Sequence, residues 1–100
     1  MVKKTSKTSP FDSAEYLDSV DAIDAYMAEA LETNDPAFIA QALGAIARAR
    51  GMSRIAKQTG LSRESLYKAL SAEGNPEFAT VIRVMRALGL KFSITATLAR

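Results

Sequence analysis

Apolar residues recur at helical spacing along most of the chain. Ile23, Tyr26, Met27, Ala30 and Leu31 follow the i, i+3, i+4, i+7, i+8 pattern of one buried stripe, with Asp24, Glu29 and Glu32 off it. The spacing predicts a helix from Val20 to about Thr33. Ser19 is its candidate N-cap, and Asp21 sits in the first turn, where the helix dipole favours negative charge. Asn34, Asp35 and Pro36 break this helix and start the next, because proline fits the first helical position behind an Asp cap. A second helix is expected from Pro36 to Arg50, with Ile39, Ala42, Leu43 and Ile46 inward, Arg48 and Arg50 in the last turn, and Gly51 as the stop. Two short helices follow, over 54–59 and 63–71, with Ser53 and Ser62 as candidate caps. Asn75 and Pro76 repeat the cap-then-proline device and launch a fifth helix ending near Leu88. Phe78, Val81, Ile82, Met85 and Leu88 line its inner face. The period then changes. Leu90, Phe92, Ile94, Ala96 and Leu98 alternate with Lys91, Ser93, Thr95 and Thr97, the pattern of a half-buried strand. A lone strand leaves its backbone groups unpaired, so the partner of 90–98 must be the N-terminal connector, a second copy or another protein.

The two short helices carry the most specific signal. Helices that cross steeply around a tight turn need particular residue types at fixed offsets. Ala56 is small where the two backbones come closest, and Gly60, four residues on, supplies the positive φ of the turn. Leu61 points back to the core, Ser62 caps the second helix through the amide of Ser65, and Leu66 and Leu70 anchor it against Ile55. The opposite face then presents Arg63, Glu64, Tyr67 and Lys68, with Ser62 and Ser65 at its start. A helix so arranged enters a DNA major groove by its N-terminal end. Arg63 matches guanine in a bidentate contact. Tyr67 and Lys68 reach bases or phosphates, and the amides near Ser53 and Ser62 suit phosphate. Gln58 either supports Ser62 or touches phosphate. Blander readings stand beside these: a small helical bundle can carry an Ala-x-x-x-Gly-Leu-Ser turn, Glu64 can simply complement the helix dipole, and Tyr67 can belong half to the core.

Charge sharpens the picture. Residues 1–10 carry three Lys and no acid, 11–36 carry eight Asp or Glu and no base, and 37–100 carry ten Lys or Arg against three Glu. Such segregation fits two partners of opposite sign, one of them a polyanion; it equally fits a solvated acidic helix beside a basic one. Composition excludes much else. The chain has no Cys and no His, which removes a disulfide framework, a zinc site, a Ser-His-Asp triad and a His base, and no Gly-rich phosphate loop is present. An enzyme is therefore not expected, nor any cofactor or metal. No apolar run is long enough to span a bilayer, and the basic N-terminus has no apolar segment of a secretory signal behind it, so a cytoplasmic protein without membrane partners is expected. The organisation expected for these 100 residues is a disordered basic arm at 1–10 and a single domain at 11–100. That domain divides into an acidic helical segment at 11–35, a DNA-binding core at 36–89 and a strand at 90–98.

From Phe11 to Ala96 the chain resembles the bacterial helix-turn-helix antitoxins of addiction modules, a HigA-like family that includes prophage DNA-binding proteins. The likeness rests on Phe-Asp-Ser-Ala-Glu-Tyr-Leu at 11–17, Ala-Arg-Ala-Arg-Gly-Met-Ser at 47–53, Gly-Leu-Ser-Arg-Glu-Ser-Leu-Tyr-Lys-Ala-Leu-Ser at 60–71 and Gly-Asn-Pro-Glu-Phe-Ala-Thr-Val at 74–81. The resemblance implies an all-α, five-helix lambda-repressor-like domain. It also implies a homodimer on a palindromic operator in double-stranded DNA, repression of its own operon, and neutralisation of a small basic RelE/HigB-like toxin. For that toxin the acidic run offers a docking surface. Asp18, Asp21, Asp24 and Glu32 would steer a basic partner, and Phe11, Tyr16 and Leu17 would supply apolar anchors. The alternatives are a stand-alone prophage-type repressor with no toxin and a protein-interaction module that does not bind DNA.

Overall fold

The computed structural model describes residues 19–98. Among them lie five helices in the order α1 (Val20–Glu32), α2 (Pro36–Arg50), α3 (Met52–Thr59), α4 (Arg63–Ala69) and α5 (Phe78–Ala87). The expected arm at 1–10 lies outside the described residues, as does the segment leading up to Asp18.

Local chemistry fixes the first two helices as the sequence reading anticipates. The Ser19 hydroxyl accepts from the amide of Ala22 at 3.1 Å, and the Asp35 carboxylate accepts from that of Ala37 at 3.1 Å with Pro36 opening α2. Thr33 closes α1, its hydroxyl donating to the Ala30 carbonyl at 2.6 Å. The α1 stripe is narrower than its spacing implies. Ile23, Met27 and Ala30 are buried and Tyr26 is half-buried, but Leu31 faces solvent. Packed chiefly against one neighbour, α1 has only one face to hide.

The central element is α2, which packs against every other helix. Ala42 through Ala47 are all buried, so this half of α2 is covered on every side rather than along a stripe. Its small residues make that possible. At Gly44 an added Cβ would lie 2.7 Å from the Leu70 carbonyl oxygen, so the end of α4 rests directly on the α2 backbone. Around this rod the core gathers Leu43, Ile46, Ile55, Leu66 and Val84 as its largest fully buried side chains. Dispersion and burial of these side chains, on the order of 1.5–3 kcal/mol each, dominate what holds the bundle together.

The structure revises four expectations. First, α3 starts at Met52, not after a Ser53 cap: Gly51, at φ 105°, turns the chain between α2 and α3, and Ser53 lies in the first turn. Burial of Met52 in the core draws the helix start forward. Second, Asn75 does not cap α5. It sits at φ 44°, whereas a cap needs extended backbone, and the helix begins at Phe78 behind Glu77 with no side-chain cap. Third, the inner face of α5 is built on Val84, Met85 and Leu88, with Val81 and Ile82 half-buried and Phe78 72% exposed. Fourth, no strand occurs among the described residues, and 90–98 have no regular secondary structure. An alternating pattern makes a strand only when another edge supplies hydrogen bonds, and no such edge lies among the described residues.

Candidate nucleic-acid interface

The α3–α4 pair is set by three local devices. Gly60 adopts φ 80°, ψ 11° and donates its amide to the Ala56 carbonyl at 2.9 Å, which closes α3 in a left-handed turn. An added Cβ there would meet nothing within 4 Å, so the demand for glycine is conformational rather than steric. Beside it, Thr59 is the buried polar residue of the turn. Its hydroxyl donates to the carbonyls of Ile55 (2.8 Å) and Ala56 (3.2 Å) and accepts from the amide of Leu61 (3.3 Å). That stitch went unread in the sequence, although a threonine one residue before a helix-ending glycine is the signal for it. Finally, Ser62 caps α4 by accepting from the Ser65 amide at 3.0 Å, and its own hydroxyl reaches the Ser65 hydroxyl at 2.9 Å.

With α4 so started, its two faces separate cleanly. Leu66 is fully buried and Leu70, its C-terminal cap residue, is buried behind it, both joined to the core that holds Ile55. Arg63, Glu64, Ser65, Tyr67 and Lys68 are exposed, as are Ser62, Ser53 and Gln58. The Arg63 guanidinium lies 6.0 Å from the centroid of the Tyr67 ring one turn on, at the outer limit of a cation–π contact. The two side chains therefore share one outward face. The Tyr67 ring, 45% exposed, also lines a hollow of about 850 Å³ with Tyr26, Phe38, Arg48 and Met52. It is thus part surface and part wall.

Sequence reasoning missed a contribution from α5. Gln58 does not stand alone on α3: with Arg83 and Arg86 it lines a shallow hollow of about 440 Å³. Arg54 and Lys57 are exposed on α3 as well. The cationic surface beside Gln58 is therefore shared by α3 and α5. No local pattern reveals this, because α5 comes next to α3 only in three dimensions.

Of the acidic candidates, Asp21, Asp24 and Glu32 are exposed on α1. Phe11, Tyr16, Leu17 and Asp18 lie outside the described residues.

Residues 7–96 match the family described as "Probable addiction module antidote protein". The chain belongs to this family. A Haemophilus influenzae protein (strain ATCC 51907 / DSM 11121 / KW20 / Rd), described only as an uncharacterized protein, is 52% identical over 90 residues, 90% of this chain and 93% of its own length. No solved structure matches. Membership supports an antitoxin role, with a toxin as partner in general, and a regulatory rather than enzymatic part. Among the described residues, no helix is long and apolar enough to cross a membrane.

Proposed function

We propose that the chain is a sequence-specific DNA-binding antitoxin that represses its own operon and neutralises a small basic toxin of the RelE/HigB-like kind. In this reading α3 and α4 act as a helix-turn-helix within a lambda-repressor-like domain, as a cytoplasmic homodimer on a palindromic operator in double-stranded DNA. The observation that carries it is the split character of α4: Leu66 hidden, Arg63, Tyr67 and Lys68 outward, and the start pinned by Ser62.

The roles follow from position. Arg63, in the first turn, offers its guanidinium fork to a guanine edge, and Tyr67 and Lys68 follow one turn along. Ser62 and Ser65 hold the helix start, the Ser62 hydroxyl accepting from the Ser65 amide and donating to the Ser65 hydroxyl, and the first-turn amides that this cap leaves free meet phosphate. Ser53 and Gln58 on α3, with Arg83 and Arg86 on α5, hold the flanking backbone. Glu64 rejects a base edge that offers only acceptors, which gives discrimination rather than affinity.

Toxin binding uses a different helix. Asp21, Asp24 and Glu32 on α1 steer a basic partner, with Asp18 as a further charge and Phe11, Tyr16 and Leu17 as apolar anchors. The test is co-purification with the product of the adjacent gene, followed by titration with that product. Combined Asp21→Asn, Asp24→Asn and Glu32→Gln substitution is expected to weaken toxin binding and flatten its salt dependence. Unchanged affinity and salt slope would remove α1 from the toxin surface. Failure of any basic neighbour to co-purify would favour a stand-alone repressor.

A further inference from the structure

The C-terminal segment beyond α5 presents apolar side chains that the other described residues do not cover. Leu90 is the last anchored residue: it is half-buried against the core and its amide donates to the Met85 carbonyl at 2.8 Å. Beyond it Phe92 stacks on Phe78, with ring centroids 6.3 Å apart and planes 25° apart, yet the two rings remain 49% and 72% exposed. Ile94 and Leu98 are 90% and 88% exposed. Between them Lys91, Ser93, Thr95 and Thr97 alternate in sequence, so pairing as a strand would put them on the side opposite the apolar residues. Three large apolar side chains in one short stretch, with Phe78 beside them, on a domain that buries Leu66 and Val84 completely, form an exposed patch.

We infer that residues 90–98 pair with the same residues of a second copy, forming a two-stranded antiparallel ribbon that, with Phe78, is the dimer surface. The segment is self-complementary when the twofold axis passes through Ile94. Leu90 then opposes Leu98, Phe92 opposes Ala96, and Ile94 opposes its counterpart, so the largest side chain meets the smallest and the ribbon keeps one wholly apolar face. Lys91 opposes Thr97, which keeps the segment's single charge away from its mate. That near-neutrality also argues for a second copy over a basic toxin, which would find no carboxylate here to hold it. At about 150–200 Å² for each fully exposed large apolar side chain, Phe78, Phe92, Ile94 and Leu98 bring on the order of 500 Å² per copy. Two copies then present on the order of 1,000 Å² of apolar surface between them, the scale of a specific interface, before backbone and Leu90 contributions. Pairing also satisfies the amides and carbonyls that a lone extended segment leaves to water. The inference deepens the dimeric part of the proposed function and rests on it.

The test is the mass of the full-length protein in solution by sedimentation, without DNA or toxin. The wild type is expected to be a dimer at micromolar concentration. Ile94→Lys places two like charges across the axis and is expected to weaken dimerisation by on the order of 100-fold. Ser93→Lys, on the other side of the ribbon, is expected to leave the dimer intact. Because the chain has no cysteine, Ile94→Cys gives a clean register probe: it is expected to cross-link to its own counterpart on oxidation, and Ser93→Cys is not. Unchanged melting of Ile94→Lys at low concentration, where both proteins are monomers, confirms that the fold is retained. A wild-type monomer at these concentrations, or a dimer indifferent to Ile94→Lys, would overturn the inference. So would a mass that changes only when the toxin is added. None of these results would touch the reading of DNA by α4, which is assayed separately.

Discussion

Replacing Gly60 tests the turn on which the α3–α4 arrangement depends. The residue sits at φ 80°, ψ 11°, with open space around the position of a Cβ. Gly60→Ala therefore introduces no clash with a neighbour; its cost is the left-handed backbone itself, about 1–2 kcal/mol for an L-residue. Domains of this size lose about 4–8 °C of melting temperature per kcal/mol, so a fall of about 5–15 °C is expected. Gly60→Asn is the internal control, because this chain already places Asn34 at φ 56° and Asn75 at φ 44°. Asparagine tolerates that region, and its cost is expected to stay below about 1 kcal/mol. Gly60→Val, β-branched, is expected to be the worst of the three. Urea unfolding followed by circular dichroism gives the ranking Gly, Asn, Ala, Val. Ala as stable as Gly, or Asn as damaging as Ala, would show that position 60 is not left-handed and would refute this account of the turn.

Three further outcomes follow from the packing. Ser62→Ala removes the acceptor for the Ser65 amide and is expected to cost about 1 kcal/mol, read by thermal melting, with Ser62→Asp largely restoring it. Leu66→Ala empties a fully buried site and is expected to cost about 2–5 kcal/mol in urea unfolding; a loss under 1 kcal/mol would contradict the burial of this face of α4. Gly44→Ala adds a methyl 2.7 Å from the Leu70 carbonyl oxygen, so overpacking of about 1–3 kcal/mol opposes the gain of about 1 kcal/mol in helix propensity. Net destabilisation is expected in urea unfolding, and a stabilised variant would show that α4 does not rest on α2 at this point.

What the sequence disclosed were the features decided within one or two turns of chain. The caps at Ser19, Asp35 and Ser62, the glycine turn at 60 and the inward Leu66 all depend on neighbours two to five residues away, and all are found. What it concealed depends on distant partners. Met52 enters the core and moves the start of α3, so Ser53 is no cap. Phe78 fits a helical stripe, but in the first turn of α5 its neighbour is Phe92 at the surface rather than the core. Val84 is fully buried although it was absent from the stripe assigned to α5, because α3 and α2 approach that helix from a different side. The grouping of Gln58 with Arg83 and Arg86 joins residues far apart in sequence. At 90–98 the alternation is plain, but no hydrogen-bonding edge that would turn it into a strand lies among the described residues.

The outward face of α4 is proposed to read DNA, and the decisive measurement is the salt dependence of binding to duplex DNA from the protein's own promoter. Wild-type affinity is expected to fall steeply and log-linearly with salt, and to exceed that for unrelated duplex of equal length. Arg63→Ala is expected to lower specific affinity by about 1–3 kcal/mol and to relax sequence preference, and Lys68→Ala to reduce the salt slope by about one unit, with both variants melting as the wild type does. Equal affinity for promoter and unrelated duplex, or specific binding indifferent to both substitutions, would contradict the claim.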